Sequence, residues 1–143
     1  MGYLLAHNKV VNDTKIINKS YALYQLETFI KLKYIINNYY IRIHYCFNYP
    51  NKSPNVYINN TSLINIYNYL IKNNSEYINS SIINNSLVLN KWNKNYNTLD
   101  INNEIEYVIR LIKFNTEKIF LKKIIDKFSN ESMDYLYNYL IYV

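Results

Sequence analysis

The chain has 143 residues, half of them hydrophobic and 17% aromatic, with one cysteine and a formal net charge of +6. That length is about one domain, and the apolar content excludes a disordered chain. One cysteine excludes an internal disulfide, which fits a reducing, intracellular and most simply cytoplasmic setting.

No run approaches the ~18 consecutive apolar residues of a membrane span. The first residues lack the basic segment and apolar core of a secretory signal. Gly2 alone does not make a myristoylation site, because Ala6 stands where the motif wants Ser or Thr. Charge is lopsided: residues 1–94 carry ten basic and three acidic side chains, or +7, and residues 95–143 carry six and seven, or −1. The excess of Asn, Ile, Lys and Tyr is what an AT-rich coding genome imposes. Asn-x-Ser/Thr triplets such as Asn60-Thr61-Ser62 therefore carry no weight as motifs.

The chain reads as a single domain over 1–143, with a flexible stretch expected at 1–12. From Asn12 or Asp13 the spacing of Ile17, Tyr21 and Tyr24, widened by Ile16 and Leu23, predicts a helix ending near Leu26. Residues 29–36 then alternate, with Ile30, Leu32, Tyr34 and Ile36 on one face. Asn37-Asn38 tolerates left-handed geometry and reverses the chain. Tyr39, Ile41, Ile43, Tyr45 and Phe47 form one face of the next strand, and Tyr40, Arg42, His44 and Cys46 the other. The two prolines fall together in Tyr49-Pro50-Asn51-Lys52-Ser53-Pro54. Lacking backbone donors, they predict an extended, stiff corner between the second and third strands of a three-stranded meander, which resumes at Val56–Ile58. Residues 59–86 are expected to be irregular, with Leu63–Leu70 either a short strand or a helical turn.

A brief apolar run from Ser86 leads to Trp92. Leu99, Ile105, Val108, Ile109 and Ile112 form a helical stripe, with Asn97 or Asp100 as caps. Phe120, Leu121, Ile124, Ile125 and Phe128 form a second stripe, and Met133, Leu136, Tyr137, Leu140 and Ile141 a third. Helix, antiparallel meander, irregular segment, helices: the order is that of an α+β fold.

In that order, with Tyr49, Pro50, Pro54 and Trp92 as its motif residues, the chain resembles the ubiquitin-conjugating (E2) family. That fold has an N-terminal helix, a meander, a Tyr-Pro-x-x-Pro-Pro loop, and a Trp ahead of the next helix. Ser53 here replaces the first of the paired prolines. An active E2 carries its nucleophilic Cys about eight residues before the Trp, after a His-Pro-Asn triplet, and a thiolate nucleophile has no amide substitute. Ile82–Ser86 contains no Cys, and His-Pro-Asn is absent from the sequence. The resemblance therefore implies a catalytically inert relative, such as the ubiquitin E2 variant (UEV) domain of the ESCRT-I subunit or an RWD docking domain. It implies an adaptor or complex subunit that binds ubiquitin, short peptides or a larger assembly, without cofactor and without catalysis.

Other chemistry is weakly supported. His44 and Cys46 share a strand face, but no orienting group or oxyanion loop accompanies them. Two His and one Cys without ligand spacing offer no metal site. Glu104 and Glu106, two apart on a helix, diverge. The alternative is a basic RNA- or ribosome-associated protein. Its binding residues would be Tyr40, Arg42 and His44 on the hairpin face, with Lys31 and Lys33 on the neighbouring strand.

Overall fold

Alternation makes Phe29–Ile36 (β2) and Tyr39–Cys46 (β3) the central hairpin of the computed structural model, which describes residues 2–17, 19–26 and 29–125. Asn37 and Asn38 join the strands at φ 49° and 72°, the left-handed pair that matches strand twist in a two-residue turn. The device is used twice. Asn59 and Asn60, at φ 50° and 66°, join Asn55–Ile58 (β4) to Thr61–Ser62 (β5). Tyr21–Gln25 (β1) pairs with β2 on the other side, giving an antiparallel sheet in the order β1-β2-β3-β4-β5.

The inner face carries Ile30, Leu32, Tyr34, Ile36, Ile41, Ile43, Tyr45, Val56 and Ile58, all buried. Against it pack helices α1 (Gly2–Thr14), α2 (Leu63–Asn73) and α4 (Thr98–Ile125), contributing Val10, Leu63, Leu70, Ile101, Ile105 and Val108 to the same core. A short helix, α3 (Ser81–Asn84), lies between α2 and α4 in sequence. The described residues form an α+β fold of two layers, with their helices on one face of the sheet.

Tyrosines connect the layers. Tyr34 donates its phenol hydrogen to Asn102 Oδ1 at 2.8 Å, and the Tyr45 hydroxyl lies 2.8 Å from Thr98 Oγ1. Tyr49 donates to Asp13 Oδ2 at 3.2 Å and Tyr67 to Glu104 Oε2 at 3.1 Å. Burial pushes all four phenols far above the ordinary tyrosine value, with neighbouring tyrosine and carboxylate charges adding to it. They stay protonated and keep their hydrogens available, so polar tips inside the core are satisfied.

Several elements differ from the sequence reading. The helix expected over 12–26 ends at Thr14, begins at Gly2 within the stretch expected to be flexible, and is followed by a 3₁₀ turn, Lys15–Ile17. Tyr21–Gln25 is a strand because its Leu23 lies across from the buried Leu32 of β2, a pairing no local period reveals. The meander has five strands, so the proline corner joins the third and fourth. Residues 59–86 hold β5, α2 and α3, and the apolar piece at 63–70 is a helix that buries Leu63, Ile66, Tyr67 and Leu70. The first two C-terminal stripes meet on one unbroken helix as far as Ile125. Phe128 and the third stripe, Met133 to Ile141, lie outside the described residues.

Side chains satisfy two helix ends, the N-terminus of α4 and the C-terminus of α2, while Ser62 at the start of α2 makes no side-chain cap. Asn97 and Asp100 cap α4 reciprocally, Asn97 N donating to Asp100 Oδ2 at 2.9 Å and Asp100 N to Asn97 Oδ1 at 3.1 Å. At the C-terminus of α2, the Lys118 ammonium donates to the Asn73 carbonyl and to Asn74 Oδ1, both at 2.8 Å. That places a cation at the negative end of the helix dipole.

Candidate binding surfaces: the proline corner and the outer sheet face

Tyr49, Pro50 and Trp92 come together. The chain leaves β3 through a turn in which Tyr49 N donates to the Cys46 carbonyl at 3.0 Å and Asn51 N to the Asn48 carbonyl at 2.8 Å. The corner is thus curled through its first half, where the sequence suggested extended backbone; the Tyr49–Pro50 peptide is cis. Tyr49 is buried beneath the corner, edge-on to Tyr45 at 4.7 Å and tilted against Trp92 at 5.9 Å. Its hydroxyl reaches Asp13, which Lys9 pairs at 3.3 Å, so α1 is tied to the same corner. The Trp92 indole N–H donates to the Pro50 carbonyl at 2.7 Å. Pro54 is buried at the far end of the loop, beside a small groove of about 190 Å³ lined with Val56, Leu63, Val88 and Leu89. That volume suits a single side chain and falls short of an ordinary ligand pocket.

Glu104 braces the segment that leads to Trp92. It accepts from Ser86 Oγ at 2.8 Å, from the Leu87 backbone N–H at 2.6 Å and from the Tyr67 hydroxyl. Glu106 points elsewhere, to Lys19 at 3.7 Å, so the two carboxylates do diverge. Sequence spacing showed that divergence but gave no signal for what Glu104 holds.

The second surface is the outer face of the sheet, where all five residues expected on the hairpin face lie together. Lys31 is paired with His44 and Lys33 with Arg42 across β2 and β3, and Tyr40 stands 68% exposed. Residues not singled out from sequence complete it. The Arg42 guanidinium lies 4.7 Å above the Tyr57 ring, and Phe29 stacks on His44 at 4.9 Å. The Lys31 and Lys33 ammonium groups sit 5.4 and 5.7 Å from the exposed Tyr24 ring, surface contacts worth about 0.5–1 kcal/mol each. Tyr57 lies between the buried Val56 and Ile58 on the short strand expected there, whereas the spacing of Ile17, Tyr21 and Tyr24 is helical and hides the strand that carries Tyr24. Burial first, and then the charges of Arg42, Lys31 and Lys33, hold His44 below the ordinary imidazole value. Arg42 Nε and His44 Nε2 are buried with no hydrogen-bond partner, leaving polar capacity on this face unused.

Cys46 lies on this outer face, half-buried, and is a free thiol. His44 is engaged with rings on both sides, Phe29 and Tyr57, rather than with a carboxylate that would orient it as a base. Among the described residues, no group of three His, Cys, Asp or Glu is placed to hold a metal ion, and no helix is long and apolar enough to cross a membrane.

Fold and surfaces together define a small α+β domain: a five-stranded antiparallel meander, helices over one face, a pinned proline corner and a basic, ring-rich outer face. Family models, curated protein sequences and solved structures were compared with the chain, and none matches it.

Proposed function

We propose that this chain is a non-catalytic protein-binding module resembling a ubiquitin E2 variant or RWD domain, which docks ubiquitin, a short peptide or a subunit of a larger assembly. The observation that carries the reading is the Pro50–Trp92 hydrogen bond, set in the order helix, meander, proline corner, Trp and long helix. The absence of catalysis is supported by residues 82–86 ahead of Trp92, which offer Ile, Asn and Ser where the resemblance wants a thiolate. Ser86 is not a free hydroxyl there: it donates to Glu104 and accepts from Leu89 N at 3.1 Å. Cys46 sits on the opposite side of the sheet from the helices.

Isotope-labelled protein titrated with ubiquitin and with short proline-containing peptides tests this directly. The expected result is saturable shifts centred on the Trp92 indole and the Pro50–Pro54 corner, with an affinity that salt barely changes. Capture of the intact chain from cells supplies the second arm, with a protein partner expected. No corner shifts with either probe, together with no protein partner captured, overturns the reading.

A further inference from the structure

A strand that buries one face presents every second residue on the other. Among the described residues the helices pack on one side of the sheet, and the outer side of β1–β4 displays Lys31, Lys33 and Arg42 with no Asp or Glu among its described outward residues. Three fixed cations on one small face attract an anionic partner. Their setting narrows which anion fits. Lys31 and Lys33 alternate along one strand, so their stems leave the sheet about 7 Å apart, and Arg42 is registered opposite Lys33. Between and beside them stand aromatic rings, of which Tyr40 is 68% and Tyr24 46% exposed.

We propose that the outer sheet face binds single-stranded nucleic acid, with Lys31, Lys33 and Arg42 on phosphates and Tyr24 and Tyr40 stacking bases. An acidic peptide would engage the cations and leave the rings unused. A duplex would engage the cations while its bases stay stacked on each other. Only an unpaired strand supplies both phosphates and open π-faces, the combination by which sequence-tolerant binders hold their ligands. Tyr24 and Lys33 are exposed and Lys31 is half-buried, so these contacts lie at the surface, where a phosphate can compete for the ammonium groups. This surface is separate from the proline corner, so the proposal does not depend on the protein-docking reading.

The test is fluorescence anisotropy with labelled oligouridine and oligothymidine, the intact chain, and a series of salt concentrations. Three phosphate contacts give an affinity that falls with a log–log slope of about −2, since each contact on a single strand contributes roughly 0.7. The double variant Lys31→Gln/Lys33→Gln should flatten the slope to about −0.7. Tyr40→Ala should weaken binding roughly five- to a hundred-fold with the slope unchanged, because stacking releases no counterions. Lys33 and Tyr40 are exposed and Lys31 is half-buried, and a melting curve of each variant checks that it remains folded. Preference for oligouridine over oligothymidine or the reverse tells RNA from DNA. No binding at low salt overturns the proposal. So does equal affinity for a duplex or for polyglutamate, or indifference to Tyr40→Ala and Tyr24→Leu.

Discussion

Trp92 and Pro50 are 42 residues apart in sequence, and the indole N–H of one donates to the carbonyl of the other at 2.7 Å. The bond joins the turn after β3 to the segment before α4, two irregular stretches that no ladder hydrogen bond connects. Trp92 is also edge-on to Tyr96 at 5.7 Å, so its ring is held from both sides. Trp92→Phe keeps part of the ring packing against Tyr49 and Tyr96 and removes the N–H donor together with the pyrrole half of the indole. The expected cost is about 1–2 kcal/mol, the range for leaving a part-buried carbonyl without its partner. Urea denaturation of the two proteins checks it, with an unchanged slope expected, because the surface exposed on unfolding is the same.

Pro54→Ala is expected to destabilise the domain by about 1 kcal/mol, through entropy regained by the unfolded chain. Pro54 is buried, so loss of its ring packing works in the same direction. Thermal melts would show the midpoint lowered; an unchanged midpoint would mean that the corner is fixed by Tyr49 and Trp92 alone.

How far the fold could be read from residues followed the range of the forces. The β2–β3 hairpin, its Asn37-Asn38 turn, the strand after the corner and the Asn97–Asp100 cap are local patterns, and each was legible. The second Asn-Asn turn, at 59–60, carries the same signal as the first, but in so Asn-rich a chain that signal does not stand out. β1 was lost because Tyr21, Leu23 and Gln25 meet a buried strand on one side only. Spacing alone made the segment look helical. Of the two surfaces, the corner was visible as a cluster of rigid residues. The outer face was visible in its hairpin part, while Tyr24 depended on a pairing that sequence period does not encode.

Glu104 shows what local pattern does not reveal. It sits nearly two turns into α4, yet its carboxylate collects the Tyr67 hydroxyl of α2, the Ser86 hydroxyl and the Leu87 N–H. Removing it strands three donors at a part-buried site, where water recovers some but not all of the loss. Glu104→Ala is expected to cost about 2 kcal/mol. Glu104→Gln keeps the shape and a carbonyl for Leu87 N–H, and its amide can donate to the Tyr67 and Ser86 hydroxyls, which also accept, so it should cost less than Glu104→Ala. Hydrogen exchange at Leu87 N–H is the local readout, and both variants should speed it, Glu104→Ala the more.

His44 gives the outer face a pH dependence whose direction is fixed. Its imidazole is held below its ordinary value by burial first, then by Arg42 on its own strand and Lys31 and Lys33 on β2, while Tyr57 of β4 packs beside it uncharged. In the unfolded chain the group titrates near pH 6.5. Above that pH neither state binds the proton and His44 contributes nothing to the pH dependence. As the pH falls below about 6.5, the unfolded chain takes up the proton first, so stability declines until the lower folded-state value is passed. Melting temperature should therefore fall on acidification through this window, and the fall should be smaller in His44→Gln. Lys33→Gln removes one of the repelling charges, so the His44 titration followed by NMR should move up toward the ordinary value. A His44 titration that stays in place would show that Lys33 has no part in setting it and leave burial, Arg42 and Lys31 as the causes.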